Sequence, residues 1–187
     1  VLGPEVAAVS LGTLSLVLEP GASAYEAVLH REAAAGCLTV LDPNIRPVLI
    51  PDAAAYRARF RSWLRSVGVL KLSVEDAEWL GGDVGSWLDA GVAAVVLTRG
   101  DAGITVRTAR HTVHVPTPPV AIVDTIGAGD TVHGALLAWL HARGVLDRAA
   151  VTAMDAPDWR GGLTFAAGAA AVTVSRPGAD PPWRGEV

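Results

Sequence analysis

Val123-Asp124-Thr125-Ile126-Gly127-Ala128-Gly129-Asp130-Thr131 closes an apolar run that starts at Val120 and opens a helical one. Beyond it, Val132, Leu136, Trp139, Leu140 and Arg143 recur at spacings of three and four, the period of a helix face. The stretch reads as a tight Gly-Ala-Gly turn entering a helix, with an aspartate on the first turn. Glycines let the backbone come close to a ligand, and the free N–H groups of a first turn point outward as anion donors. An aspartate beside such a nest can accept a proton where negative charge is being moved. A plainer reading competes: a Gly-rich turn whose Asp130 is favoured only by the helix macrodipole.

Upstream, Val6 to Gly12 reads as a short buried strand, and Thr13 to Gly21 as a loop with a Glu19-Pro20-Gly21 turn. A helix is expected from Ser23, which can cap it with Glu26 three residues on, to about Ala35, where Gly36 stops it. Cys37 to Leu41 is a second strand, so this strand–helix–strand unit predicts parallel pairing with a right-handed crossover. Asp52 to Arg65 is an amphipathic helix with Ala55, Phe60, Trp63 and Leu64 as its inner face. Val67 to Leu72 is a third strand, and Ser73 caps a helix whose Glu75 and Asp76 suit its positive end. A short helical piece at Ser86 to Ala90 leads to a fourth strand, Ala93 to Leu97. Ile104 to Arg107 and Thr112 to Val115 then alternate like an antiparallel pair before a Pro116-Thr-Pro-Pro119 linker. After the helix that follows the glycines, Asp147 to Pro157 is expected to be loop. Leu163 to Val174 is a helix of small residues, suited to close packing on another helix.

Asp42-Pro43-Asn44 falls at a strand's C-terminal end, where open α/β sheets bind ligands. Its carboxylate and amide can hold a hydrated Mg²⁺ or phosphate oxygens, or can form an Asx-type turn before Arg46-Pro47. Thr98-Arg99-Gly100, with Gly103 close by, can present backbone, hydroxyl and guanidinium donors to phosphates, or can be an ordinary glycine hairpin. His111 and His114 are three apart on a strand and so point to opposite faces, while His30 and His141 sit on helices without partners; no metal site is implied. His133 lies one turn into the helix after the glycines and reads as structural.

Several function classes fall away. A dinucleotide fingerprint would need a third glycine at position 132, which is Val132, and a P-loop needs Gly-Lys-Ser/Thr, whereas the only lysine, Lys71, follows Leu70. No Gly-x-Ser-x-Gly elbow is present. A net charge of −4 argues against nucleic acid or an anionic membrane surface as a partner. No apolar stretch is long enough to span a bilayer. With 51% hydrophobic residues in 187, a single domain can bury a core. The lone Cys37 excludes an internal disulfide and fits a reducing, cytoplasmic setting. The six tryptophans are scattered and read as packing.

Asp-Thr-Ile-Gly-Ala-Gly-Asp-Thr, residues 124–131, resembles the C-terminal signature of the ribokinase-like (phosphofructokinase-B type) carbohydrate kinases. Leu-Asp-Pro-Asn-Ile-Arg-Pro, residues 41–47, is similar to a segment of bacterial fructokinase-like members. The resemblance implies an α/β three-layer sandwich with a mostly parallel sheet, and an ATP-dependent kinase acting on a primary sugar hydroxyl. In that family the Gly127, Ala128 and Gly129 backbone would form the anion hole and Asp130 would be the base. It further implies ATP contacts at Lys71, Ser73, Thr98, Arg99, Gly100 and Gly103, and an adenine pocket lined by Ala167 and Ala170. Mg²⁺ would have Asp42, Asn44 and Asp76 in its outer surroundings. The family carries Asn-x-x-Glu where this chain has Ser73 and Asp76, which keeps the polarity and shortens the reach. Asp124, Ile126, Ser175 and Gly178 match the loops that enclose a monovalent cation such as K⁺.

The resemblance covers the C-terminal part of a family chain, and a start at Val1 reads as mid-protein. Complete members carry earlier strands, sugar-binding Gly-Asp and Gly-Gly elements and a small β lid. Fructose is the first expected substrate, with 2-keto-3-deoxygluconate, ribose or a nucleoside as alternatives. A nucleotide-binding fragment without catalysis is the rival of another class. Exposed sheet edge and apolar surface are expected where the earlier strands would pack. A homodimer of the complete protein is left open, since family dimers often pair through the lid.

Overall fold

The computed structural model describes residues 2–3 and 5–187. One six-stranded sheet runs in chain order: β1 (Ala8–Gly12), β2 (Leu38–Asp42), β3 (Val69–Ser73), β4 (Ala94–Thr98), β5 (Ile104–Thr108) and β6 (Thr112–Val115). The first four pair in parallel, and β5 and β6 return antiparallel. Four helices lie among the parallel strands: α1 (Gly21–Ala34), α2 (Ala53–Trp63), α3 (Val74–Leu80) and α4 (Val84–Asp89). Three follow the sheet: α5 (Ala128–Ala142), α6 (Arg148–Ala153) and α7 (Ala156–Val174).

Strand alternation sorts the core into two layers, because successive side chains leave opposite faces. Leu11, Leu41, Leu70, Leu72, Val95 and Leu97 pack with Leu29, Phe60, Trp63, Leu80 and Trp87 of α1–α4. Leu38, Val40, Val69, Ala94, Val96, Ile104, Val106, Val113 and Val115 pack with Val132, Leu136, Trp139, Trp159 and Leu163 of α5 and α7. The result is a three-layer α/β/α sandwich. By the same parity Ser10, Asp42 and Lys71 belong to the α5 face.

α7 packs closely on α5, and glycines make that possible: a Cβ at Gly161 or Gly162 would stand 3.2 Å from the Trp139 ring. Thr131 and Thr173 share a buried hydroxyl hydrogen bond of 2.9 Å across the pair. Small residues in α7 thus serve helix packing.

Some local expectations are corrected. α1 starts at Gly21, not at a Ser23 cap; Glu19 upstream accepts from both the Ser23 N–H (3.1 Å) and its hydroxyl (2.9 Å). Glu26, freed from capping, pairs with Arg59 of α2. Ala55 is exposed, and Tyr56 takes its place on the inner face of α2. Asp147 to Pro157 is mostly helical: Asp147 caps α6 and Asp155 caps α7 in a capping box with Asp158. Pro157 sits in the first turn of α7, where a missing N–H costs nothing. His111 lies in the β5–β6 turn, outside the strand. His30 has partners, Ser66 Oγ at 2.8 Å and the Glu26 carboxylate at 3.8 Å. Along the β1 side, Leu14, Leu18 and Tyr25 are exposed.

Candidate active site

The parallel strands bring Gly12, Asp42, Ser73 and Thr98 to one end of the sheet. Register pairs Gly12 with Asp42 and Ser73 with Thr98. Leu41 pairs with Leu70, so one further step sets Asp42 beside Lys71 on the α5 face. Lys71 Nζ donates to Asp42 Oδ2 at 2.7 Å, and both side chains are about nine-tenths buried. Such a pair is tolerated in a core because each charge neutralises the other. Asp42 Oδ1 is buried with no hydrogen-bond partner.

Above this pair lies the Gly-Ala-Gly turn. Gly127 is the N-cap of α5 in the left-handed region (φ 78°), and a Cβ there would come within 2.9 Å of Ala179 Cβ. Glycine is needed on both counts. A Cβ at Gly129 would lie 3.1 Å from Lys71 Nζ, which puts the ammonium directly beneath the turn. The Ala128 N–H reaches the Thr125 carbonyl at 3.3 Å, whereas the Gly129 and Asp130 N–H groups have no acceptor among the described residues. A cation and two free N–H groups therefore converge on one spot at a helix N-terminus, an arrangement that favours an anion. Asp130 is exposed on the same turn.

Asp130 also lines two cavities. One, about 390 Å³, lies between the β1 end and α5 and is bounded by Ser10, Gly12, Thr13, Asp42 and His133. The other, about 1370 Å³, runs along α5 to the C-terminal segment and is bounded by Gly127, Trp139, Phe165, Pro181 and Trp183. His133 is a site residue that the sequence reading passed over as structural. Its Nε2 lies 2.6 Å from Ser10 Oγ and its Nδ1 3.9 Å from Asp42 Oδ2. Burial pushes its imidazole below the ordinary histidine value, so the ring is neutral at neutral pH. The signal was available: residue 133 is one turn from Asp130 on one helix face, and Ser10 shares a sheet face with Asp42.

The other predicted residues are spread over separate neighbourhoods. Ser73 caps α3, accepting from the Asp76 N–H at 3.1 Å. Asp76 is occupied by backbone, accepting from Ile45 N–H at 2.9 Å and Ser73 N–H at 3.3 Å, and Asn44 Oδ1 accepts from Arg46 at 2.7 Å. Thr98, Arg99 and Gly100 lie at the end of β4 and line neither cavity, with Arg99 and Gly100 exposed. Gly103 is buried at φ 94°, and a Cβ there would sit 2.2 Å from the Val115 carbonyl oxygen, so its demand for glycine comes from the hairpin. Ala167 belongs to the core and Ala170 packs half-buried against it.

Asp124 joins the two loops flagged for a monovalent cation. Its carboxylate accepts from the Ile126 N–H at 3.0 Å and from the Gly178 N–H at 2.9 Å. Those two backbone bonds, that of Ile126 first, hold its carboxyl below the usual aspartate range. Ser175 Oγ donates to the Val172 carbonyl at 2.7 Å. Among the described residues no three His, Cys, Asp or Glu side chains converge as a metal cage, and no helix is long and apolar enough to cross a membrane.

The fold is thus a three-layer α/β sandwich in which two free N–H groups, a lysine ammonium and an aspartate meet at the N-terminus of α5. The pfkB family carbohydrate kinase profile matches residues 4–184, and the chain belongs to that family. It is 38% identical over 167 residues to a fructokinase of Rhizobium leguminosarum bv. trifolii, covering 86% of this chain and 51% of that protein. The fold is similar to a fructokinase with bound ATP from Xylella fastidiosa (TM-score 0.81, 27% identity, 91% of this chain and 56% of that one). It is also similar to a fructokinase from Vibrio cholerae O395 in fructose, ADP and calcium ion bound form (TM-score 0.75, 24% identity, 91% and 55%). The chain spans about half the length of the curated relatives it matches.

Proposed function

We propose that the protein carrying this chain transfers the γ-phosphoryl group of ATP to a primary hydroxyl of a sugar, fructose first among candidates. The observation that carries the reading is the placement of Asp130 on the same turn as the free Gly129 and Asp130 N–H groups, above the Lys71 ammonium. In the step, Asp130 takes the hydroxyl proton, the sugar oxygen forms a bond to the γ-phosphorus, and the bond from that phosphorus to the ADP oxygen breaks. The turn's N–H groups and Lys71 stabilise charge on the phosphoryl oxygens. Fructose is favoured by the Rhizobium relative; ribose, a nucleoside or 2-keto-3-deoxygluconate are the alternatives.

Mg²⁺ in nucleotide sites takes one or two carboxylates and completes its shell with water and phosphate oxygens. Asp42 fits an outer-shell role through its unpartnered oxygen, while Asp76 and Asn44 are already engaged by backbone and Arg46. Bound Mg²⁺ would neutralise charge between the phosphates. A K⁺ ion would be held between the loops that Asp124 ties together, by backbone oxygens near Ile126 and Ser175.

Calorimetry with Mg-ATP followed by coupled ADP release with fructose tests the reading. Sugar-dependent ADP release is expected, with Asp130→Asn lowering kcat by at least about 10²-fold and leaving ATP affinity within a few-fold. Near-normal turnover in Asp130→Asn would remove Asp130 as the base. Nucleotide binding with no sugar-dependent ADP would instead favour a binding-only role.

A further inference from the structure

We propose that His133 is a positioning residue for the sugar side of the site, tying the end of β1 to the first turns of α5 so that the acceptor pocket keeps its shape beside Asp130. The inference rests on the sugar-kinase reading above.

Three observations support it. First, the tether is specific: His133 Nε2 and Ser10 Oγ are 2.6 Å apart across 123 residues of chain. The imidazole side chain is 12% exposed, and its other nitrogen faces Asp42 Oδ2 at 3.9 Å. As the neutral Nδ1–H tautomer the ring accepts from the Ser10 hydroxyl through Nε2, while Nδ1, buried without a hydrogen-bond partner, faces the carboxylate.

Second, the tethered strand end is set tightly against its neighbour. Gly12 has no Cβ, and one placed there would stand 2.0 Å from the Asp42 carbonyl oxygen. The β1 end therefore approaches β2 unusually closely just where it turns into Thr13.

Third, the kinase reading assigns the pocket that the tether borders to the acceptor, with Asp42 on its wall facing the phosphates. It is lined by Ser10 to Thr13, Ser15 and Tyr25 together with Asp130. The residues suited to the nucleotide tail, Thr98 to Gly100, lie at the end of β4, three strands away. At about 4.8 Å per strand that is about 14 Å. Asp130 stands where the two sides meet, so moving the β1 end changes the acceptor's approach and leaves the phosphate tail in place.

The test is steady-state kinetics on the protein carrying this chain with His133→Ala, Ser10→Ala, the double variant and His133→Gln. Glutamine is chosen because its terminal amide reaches about as far as Nε2. His133→Ala is expected to lower kcat/KM for the sugar by about 10–100-fold, mostly through a higher sugar KM, with the ATP KM within about twofold. Ser10→Ala should move the sugar KM in the same direction, and the double variant should be no worse than the more damaged single variant. His133→Gln should recover most of the loss. Long-range ¹H–¹⁵N spectra of the wild type should show a neutral Nδ1–H ring that is perturbed by fructose. Equal losses toward ATP and sugar, additive losses in the double variant, or an unchanged sugar KM would each overturn the proposal. Absence of sugar-dependent ADP from the wild type would instead count against the kinase reading, and the ring tautomer, with its response to fructose, would still decide the tether.

Discussion

Replacing Lys71 by methionine tests the buried ion pair on which the anion nest rests. The two charges are 2.7 Å apart and shielded from water on the α5 face. At an effective dielectric of about 20, their gross attraction at this distance is about 6 kcal/mol. Desolvation of the two ions offsets most of that, so the net worth of the intact pair is small. Breaking it is a different matter. Methionine fills the space of the lysine stem but leaves Asp42 as a buried carboxylate with one oxygen already unpartnered. Removal of one member of such a pair costs about 3–5 kcal/mol. In a domain of this size that corresponds to a fall in Tm of about 10 °C. Urea unfolding followed by tryptophan fluorescence reads it directly, because Trp63 and Trp159 are fully buried in the two opposite core layers. The companion Asp42→Asn/Lys71→Met should recover most of the lost stability, since no uncompensated charge remains. A Lys71→Met cost below about 1 kcal/mol, or a double variant as unstable as the sum of the singles, would refute the claim that the pair is buried and mutually dependent.

Tyr56 has a buried hydroxyl with no partner, and burial, assisted by the Asp76 charge, pushes its pKa up to about 12. A folded pKa raised from about 10 stabilises the protein below pH 10 and loses that stability as pH rises through 12; the shift corresponds to about 3 kcal/mol. Tyr56→Phe should therefore flatten the alkaline limb of urea stability and be neutral or stabilising by about 1 kcal/mol at pH 7, and a loss of more than 1 kcal/mol there would contradict the unpaired hydroxyl. For Asp124 the sign is opposite: its folded pKa is depressed, so its bonds to Ile126 and Gly178 are intact above the unfolded value and are lost as pH falls through the lower folded one. The Gly178 amide resonance should accordingly titrate below the ordinary aspartate value of about 3.9, and titration at or above it would show that the carboxylate does not hold the loop.

The features legible in the sequence were those encoded by short-range periodicity. The near-continuous apolar runs of Val67–Leu72 and Ala93–Leu97 read as buried strands, the first strand–helix–strand unit implied parallel pairing, and the Gly-Ala-Gly turn announced the entry to α5. What local reading missed had nearby competitors. Ser23 has the spacing of a capping box, but Glu19, four residues earlier, supplies the same bonds from outside the helix. Asp147 to Pro157 holds two aspartates and a proline, all common in turns, yet each occupies the one helical position that suits it.

The site is less legible because its parts meet through sheet parity and through bonds between distant segments. Asp42 and Lys71 are 29 residues apart, Ser10 and His133 are 123 apart, and Asp124 and Gly178 are 54 apart. Parity alone links the first pair: each residue extends the α5-facing positions of its own strand, Val40 to Asp42 and Val69 to Lys71, and parallel register aligns them. That same logic separates the roles of the glycines. Gly127 is required by its left-handed backbone and by Ala179, whereas Gly103 is required by the Val115 carbonyl in a hairpin remote from the anion nest. Two glycines that looked alike as phosphate-loop residues therefore answer to different neighbours. A substitution at Gly103 should act on the β5–β6 pairing, while one at Gly127 should act on the nest and on the loop that Asp124 anchors.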